Sequence, residues 1–363
     1  MILRSNQLYI FALIGLLLVQ AETMAINTSM NQTQQLIGTL IRMKAGNKVL
    51  SGAVLVAQGD TILFQKAYGM ANYEHDIPNT VDTVFRIASL TKQFTGVAIL
   101  QLCERGLLAL EDTIDKYVPD YKEAQRITIY QLLTHTAGLV QFPGFPPGNG
   151  VIDMNAPRGP QIINYYKDHE LIYEPGTRFS YSNLGYIILS AIVEQVSGLS
   201  YEAYIHEYLF KPAGMTNSGY DHPTSIVRNR AAGYKHSDGT IYNAQFIDLE
   251  QAQGAGGLYS TLGDLYKWDR ALYGGTLLSK ETLVRWCTPR VPAFEESQEW
   301  YSYGICVTQD EQQTLLFHRG ELYGFRTRMV HRLPDNLCII FLSNNESHNP
   351  KPIVDGILAF LSA

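Results

Sequence analysis

The sequence predicts an α+β fold: one antiparallel sheet built from N- and C-terminal strands and flanked by helices, with a mostly helical domain inserted between them. Three observations carry this expectation. β-type runs occur early, at Ser51–Ala57 and Thr61–Tyr68, and then not again until a late cluster at Tyr303–Thr308, Thr314–His318, Phe325–His331 and Leu337–Ser343. The stretch from about Asp112 to Tyr208 reads instead with helical spacing. Helical runs also bracket the strands, at Met30–Lys44 and Ile353–Leu361. Strands at both ends and helices in the middle are most simply joined as one sheet carrying a helical insertion. The expected organisation is a signal peptide over 1–25, a sheet domain of 26–85 plus 250–363, and a helical domain of 86–249. A cleft is expected at their junction.

Taken in order, the chain opens on a targeting segment. Arg4 precedes the apolar run Leu8–Val19, which is short for a membrane span, and small residues suited to cleavage follow at Ala21 and Ala25. This reads as a secretory signal, placing the protein in a periplasm or outside the cell. The alternative is an uncleaved anchor, the one arrangement in which a membrane would be a partner. Met30–Lys44 is an amphipathic helix with Leu36, Ile37, Leu40 and Ile41 on one face. Gly59-Asp60 between the first two β runs is a hairpin signal. Phe94–Glu104 is an apolar helix stopped by Gly106. Further helices are expected at Thr128–Thr134, Gln161–His169, Leu184–Val196 and Tyr201–Phe210. The Pro- and Gly-dense connection Phe142–Pro160 reads either as a substrate-cleft loop or as an ordered surface loop. Ala252–Ser260 is Gly-rich. Thr261–Tyr273, with Thr261 and Asp264 as a capping pair, and Ser279–Cys287 are helices. Pro334-Asp335-Asn336 is the turn between the last two strands.

Composition narrows the function classes. The 363 residues are 46% hydrophobic and 17% charged, with a net charge of −6 and a pI near 5.9. That is a globular balance with no basic surface for nucleic acid. Cys103, Cys287, Cys306 and Cys338 form no Cys-x-x-Cys and have no metal spacing with histidine. They read as buried thiols, with a Cys306–Cys338 bridge left open for an exported chain. There is no His-Glu-x-x-His, no Gly-x-Ser-x-Gly, no phosphate loop and no dinucleotide fingerprint, so neither metal nor cofactor is expected.

The chemistry-bearing stretch is Arg86–Phe94. Ser89 and Lys92 are three apart, so at a helix start their side chains share one face, beside unpaired backbone N–H groups. Two readings fit: a serine nucleophile with an amine to take its proton, or a Ser N-cap followed by a solvated Lys. Tyr181-Ser182-Asn183 sits on a helix-entry loop, where Tyr181 serves packing or chemistry and Asn183 serves capping or chemistry. His318-Arg319-Gly320 ends a β run, as a strand-edge histidine or as part of a site.

Together, the ordered Ser-x-x-Lys, Tyr-x-Asn and His-x-Gly resemble the serine β-lactamase and penicillin-binding-protein superfamily. The nearest branch is that of class C β-lactamases, D-alanyl-D-alanine carboxypeptidases and related esterases and D-aminopeptidases. Leu132–Leu139, Glu174–Tyr186 and Gly256–Thr261 resemble its supporting stretches, and the likeness runs from about Gly52 to the C-terminus. The resemblance implies a β-lactamase/transpeptidase-like fold and an acyl-enzyme on Ser89. Lys92 and Tyr181 would share the general-base task, with the Tyr181 pKa lowered by the ammonium. Asn183 would hold the amine and the substrate amide. His318 would orient Tyr181 or meet a substrate carboxylate. The oxyanion hole would be the N–H groups of Ser89 and of Glu321, just after Gly320. His135 would be structural, fixing a turn beside the cleft. Arg319 and Glu321 depart from the family's small residues, which turns expectation away from penicillins and toward an ester, a D-amino-acid peptide or another amide, with a β-lactam kept as the less favoured substrate. The partner implied is a small-molecule or peptide substrate of peptidoglycan type. A non-catalytic module that binds peptidoglycan fragments or a protein partner is the competing class, and a self-assembling scaffold a third.

Overall fold

Strands from the two ends of the chain meet in one eight-stranded sheet. The structure, a computed structural model, describes residues 30–45, 50–140, 160–293 and 298–362. The signal segment 1–25 and the connection from Phe142 to 159 lie outside those residues. In the sheet, β1 (Gly52–Gln58) and β2 (Thr61–Tyr68) form the early hairpin. β10 (Val291–Pro292), β11 (Trp300–Tyr301), β12 (Cys306–Gln309), β13 (Thr314–Leu322), β14 (Phe325–Leu333) and β15 (Leu337–Ser343) form the late meander. The order is β10-β11-β12-β13-β14-β15-β1-β2. The ends of the chain join where β15 pairs antiparallel with β1, from Gly52 opposite Ser343 to Gln58 opposite Leu337. These two are the least interrupted apolar strands of the sheet, and both are buried along almost their whole length.

Smaller sheets complete the β structure. β3 (Met70–Asn72) pairs with β4 (Ile77–Pro78), and β5 (Phe85–Arg86), β9 (Leu258–Ser260) and β6 (Gly219–Tyr220) form a three-stranded ribbon. β7 (Tyr234–Ser237) and β8 (Thr240–Asn243) form a hairpin absent from the sequence reading. Its turn, Asp238-Gly239, has positive φ at both positions, the conformation that such a pair supplies.

The helices are α1 (30–45), α2 (Thr91–Glu104), α3 (Ile129–Leu133), α4 (Pro160–Tyr166), α5 (Asn183–Ser197), α6 (Tyr201–Ile205), α7 (Lys211–Ala213), α8 (Gln253–Gly256), α9 (Leu262–Tyr273), α10 (Lys280–Cys287) and α11 (Lys351–Phe360). The caps agree with the sequence chemistry. Thr128 and Gln131 form a capping box on α3, Ser182 caps α5, and Thr261 accepts from the Asp264 N–H. The start of the mostly helical stretch, from Asp112 to Thr128, holds two short 3-10 turns and a bridge between Thr113 and Thr128. Pro119, in its middle, has no N–H for a helix.

Two compact units emerge. The larger spans Lys48–Lys351 and contains the whole sheet and α2 to α10. At its centre α2 is buried on nearly every side, and Phe94 stacks on Trp268 with ring centroids 3.9 Å apart. The smaller joins the two ends of the chain. In it Gly356 of α11 lies so close to α1 that a Cβ there would stand 3.0 Å from Leu40 Cδ2. Among the described residues, no single helix is long and apolar enough to cross a membrane.

The cysteines are free thiols. Cys306 and Cys338 are buried, whereas Cys103 and Cys287 are only half-buried, short of the expectation for those two. A Cys306–Cys338 bridge is ruled out by the register: β13 and β14 separate β12 from β15, a gap of about 14 Å at the usual strand spacing.

Candidate active site

Ser89 sits on a strained turn that the surrounding strands hold in place. β5 leads through Ile87 into a 3-10 turn, Ala88–Leu90, which runs straight into α2. Ala88 has φ +49, unusual for a residue with a Cβ. The Ile87 N–H donates to the Leu258 carbonyl at 3.0 Å, and Thr327 Oγ1 donates to the Ile87 carbonyl at 3.0 Å. Arg86 is fixed just upstream by the buried Asp221 carboxylate, 2.7 Å away. Gly320 of β13 makes room for the turn, because a Cβ there would lie 2.4 Å from the Ile87 carbonyl oxygen and 3.2 Å from Ala88 Cβ. No side chain caps α2, so Ser89 is not an N-cap.

Lys92 is wholly buried, which removes the reading of it as a solvated lysine. Nζ donates to Asn183 Oδ1 at 2.9 Å and to the Ala255 carbonyl at 2.7 Å, and it lies 3.2 Å from Ser89 Oγ. The Ala255 carbonyl is one of those that a helix end leaves unpaired, here on α8. The adjacent Gly254 carbonyl accepts from Thr95 Oγ1, also on α2. That contact explains the Gly-rich stretch: a Cβ on Gly254 would come 2.7 Å from Ser190 Cβ and 2.8 Å from the Tyr186 carbonyl, both on α5. Burial drives the Lys92 pKa well below its ordinary value.

Asn183 begins α5, and Tyr181 lies two residues earlier, its ring 4.7 Å from Lys92 Nζ and its hydroxyl bonded to Ser89. Burial raises the Tyr181 pKa, and the Ser89 bond opposes this only in part. The expected lowering by an ammonium is therefore overturned: the burial that raises the Tyr181 pKa also lowers that of Lys92, which disfavours the cation that would have stabilised a phenolate. His135, which follows α3 with φ +58, is buried against Tyr181, Tyr186 and Tyr301.

The β13 edge forms the opposite wall. β12 covers β13 only from Thr314 to Phe317, so among the described residues His318–Leu322 runs on beyond the end of β12 with no further strand on that side. His318 is 2% exposed, and burial first, then Lys92, pushes its pKa down to about 3. The neutral ring has an assigned tautomer. Nδ1 faces the Arg319 carbonyl at 2.8 Å, which can only accept, so Nδ1 carries the hydrogen. Nε2 then accepts from the Tyr301 hydroxyl at 3.1 Å. Both ring nitrogens are engaged with groups other than Tyr181, and the ring carries no charge for a substrate carboxylate. Arg319 lies 3.6 Å from Glu299, and Glu321 is exposed on the same face of β13.

Ser89, Tyr181, Asn183, His318, Arg319 and Glu321 line one cleft of ≈ 330 Å³, with Lys92 behind Ser89 and Gly320 under the turn. Tyr301 and Cys306 also line it and were absent from the sequence reading. The signal for Tyr301 lies in strand register: Tyr301 opposes Cys306, and Cys306 opposes Phe317, next to His318. Burial pushes the Cys306 thiol up to about 12. A larger open hollow of ≈ 670 Å³, beside α5, contains none of the motif residues. Among the described residues, no group of His, Cys, Asp and Glu is arranged to hold a metal.

Comparison with known proteins gives concordant matches. The β-lactamase family model matches residues 37–363. The chain is 35% identical over 298 residues to the protein named "Putative penicillin-binding protein PbpX" of Bacillus subtilis (strain 168), covering 82% of this chain and 71% of that one. Among solved structures it resembles a penicillin-binding protein from Bacillus halodurans, with TM-score 0.78, 27% identity, and 89% and 98% of the two chains covered. It shares its fold with D-amino acid amidase from Ochrobactrum anthropi SV3, with TM-score 0.80, 22% identity, and 92% and 99% covered.

Proposed function

The chain belongs to the β-lactamase family of serine hydrolases, and from that premise we propose that it is an exported hydrolase working through an acyl-enzyme on Ser89. Its substrate is an ester, a D-amino-acid peptide or another amide laid along the free edge of β13. The observation that carries the reading is the setting of Lys92. A neutral amine has two hydrogens and one lone pair. Nζ donates to Asn183 Oδ1, to the Ala255 carbonyl and to Ser89 Oγ at 3.2 Å; once it loses a proton, the two carbonyl oxygens keep its hydrogens and the lone pair turns to Ser89 Oγ.

The Ser89 hydroxyl then donates to Nζ as its oxygen attacks the carbonyl carbon. The bond to the substrate forms as the proton crosses to Lys92. The negative charge passes to the carbonyl oxygen, which the N–H groups of Ser89 and Glu321 stabilise. One such donor is typically worth about 3 kcal/mol of barrier. Tyr181, a phenol bonded to Ser89, relays the proton to the departing alcohol or amine. Water reverses these steps to release the acid. Asn183 fixes the amine, and His318 with Tyr301 forms the wall beside it. Export rests on Arg4, the apolar run Leu8–Val19 and the small residues after it.

The test is intact-protein mass after exposure to a fluorophosphonate and, separately, to a fluorescent penicillin, with Ser89→Ala in parallel. One adduct on the natural protein and none on the variant is the expected result. Penicillin labelling as well points to peptidoglycan-type substrates, and fluorophosphonate labelling alone to an esterase or a narrow peptidase. Failure of both reagents on folded protein removes the hydrolase reading in favour of a module that binds peptidoglycan fragments or a protein partner.

A further inference from the structure

We infer that His135 is a positioning residue, an aromatic clamp that holds Tyr181 over Lys92 and Ser89; the inference rests on the proposed role of Tyr181 as proton relay. His135 is 2% exposed and does not line the cleft, so it touches no substrate. It grips the Tyr181 segment at three points. Its carbonyl accepts the Ser180 N–H at 2.8 Å. Its Nδ1 accepts the Ser182 N–H at 3.1 Å. Between these two bonds its ring lies over that of Tyr181, with centroids 4.3 Å apart and planes at 37°. Phe179, one residue further back, sets its ring edge-on to the same imidazole at 5.8 Å. Every residue from Phe179 to Ser182 is thus referred to one side chain and its carbonyl.

The imidazole itself is informative. With Nδ1 accepting, the neutral ring carries its hydrogen on Nε2, and that nitrogen is buried with no hydrogen-bond partner among the described residues. A buried unpaired donor is unfavourable, and an apolar ring of similar shape would avoid it. Burial, then the nearby Lys92, hold the ring in the neutral form whose Nδ1 can accept. The backbone at φ +58 is a second unfavourable feature at the same residue. A plain packing residue would need neither. A residue that must present both an acceptor to Ser182 and a flat face to Tyr181 needs a ring with a nitrogen at that position.

His135→Asn separates these roles. Asn tolerates the left-handed backbone and offers Oδ1 in place of Nδ1, but it has no ring. The first readout is the rate of Ser89 modification by the fluorophosphonate, expected to fall about a hundredfold, as for a catalytic group displaced by about 1 Å. The second is tyrosine ultraviolet titration, which needs no activity. Comparing His135→Asn with His135→Asn/Tyr181→Phe isolates Tyr181. Released from burial, it is expected to ionise at its ordinary pH of about 10. In the natural protein, compared with Tyr181→Phe, no ionisation is expected there. His135→Phe, which keeps a ring, is expected to leave Tyr181 silent; if His135→Asn does not fold, His135→Gln is read in the same way. The inference requires both changes in His135→Asn. A normal modification rate, or a Tyr181 still silent at that pH, overturns it. If Ser89 of the natural protein takes no label, the hydrolase reading has failed, and the titration alone decides the clamp.

Discussion

Replacing Gly320 by alanine tests whether the Ser89 turn is held in place by its contact with β13. The new methyl carbon would stand 2.2 Å from Thr327 Oγ1, 2.4 Å from the Ile87 carbonyl oxygen and 3.2 Å from Ala88 Cβ. The Thr327 side chain can rotate, at the loss of its bond to Ile87. The Ile87 carbonyl cannot, because it belongs to the backbone that enters the left-handed Ala88. A carbon and a carbonyl oxygen sit comfortably at roughly 3.4 Å, so the turn and the strand must part by about 1 Å. Overpacking of this kind typically costs about 1–3 kcal/mol. A shift of about 1 Å at a nucleophile is worth on the order of a hundredfold in rate. Gly320→Ala should therefore melt a few degrees lower and react with the fluorophosphonate about a hundredfold more slowly. Adding Thr327→Ala should not restore the rate, because the Ile87 contact remains. A single variant that reacts within about threefold of the natural protein, or a double variant that recovers fully, would refute the reasoning.

Three further outcomes follow from the charges. Lys92→Met should take no label, and its stability should lose a pH dependence. The native pKa of Lys92 lies well below its unfolded value, so the unfolded chain binds the extra proton and native stability rises with pH across that window. The melting temperature of the natural protein should therefore gain on that of Lys92→Met as pH rises toward about 10, and parallel curves would contradict this. His222 lies between Glu202 at 2.8 Å and Glu250 at 3.0 Å. Burial alone would lower its pKa, but the two carboxylates raise it. Its contribution, below about 1 kcal/mol for a pair this exposed, is complete below pH ~6.5 and lost as pH rises through the native pKa. His222→Gln should thus melt lower than the natural protein in acid and equally in alkali; the opposite trend counts against the pairing. Asp221, fully buried, holds Arg86 at 2.7 Å and Arg230 at 2.5 Å. Asp221→Asn should destabilise by about 3 kcal/mol in chemical denaturation, the usual result of breaking a buried ion pair, and an effect below about 1 kcal/mol would place these charges in solvent.

The fold was legible where burial leaves an uninterrupted trace. β15, expected at Leu337–Ser343, occupies those residues, and β1 and β2 lie within a residue of expectation. β13 was read too short, as Thr314–His318, because its cleft edge is polar: Arg319, Gly320 and Glu321 break the apolar pattern. The hairpin at Tyr234–Asn243 was missed for a similar reason, since its residues are mostly exposed. At the site, spacing singles out residue types and cannot say what surrounds them. The environment of Lys92 is set by Asn183, 91 positions away, and by Ala255, 163 positions away. That convergence depends on Gly254 letting α8 approach α5. Tyr301 was invisible because its partner is chosen by register across β11, β12 and β13, not by any local pattern.

The site places several ionisable groups in a small volume and keeps them uncharged. Lys92, His135 and His318 are all pushed toward their neutral forms, and Tyr181 toward phenol. Among the described residues the polar partners of Lys92 are a hydroxyl, an amide oxygen and a backbone carbonyl, with no carboxylate among them. A resting ammonium there would lack a counter-ion, and such a buried charge is unfavourable by several kcal/mol. In the proposed mechanism, transfer of the Ser89 proton would create that cation at the moment the substrate oxygen becomes negative. Each charge would then supply the other's missing partner, with Lys92 itself fully buried. On that mechanism, the burial that makes Lys92 a poor resting cation would let it stabilise the transition state more than the resting enzyme.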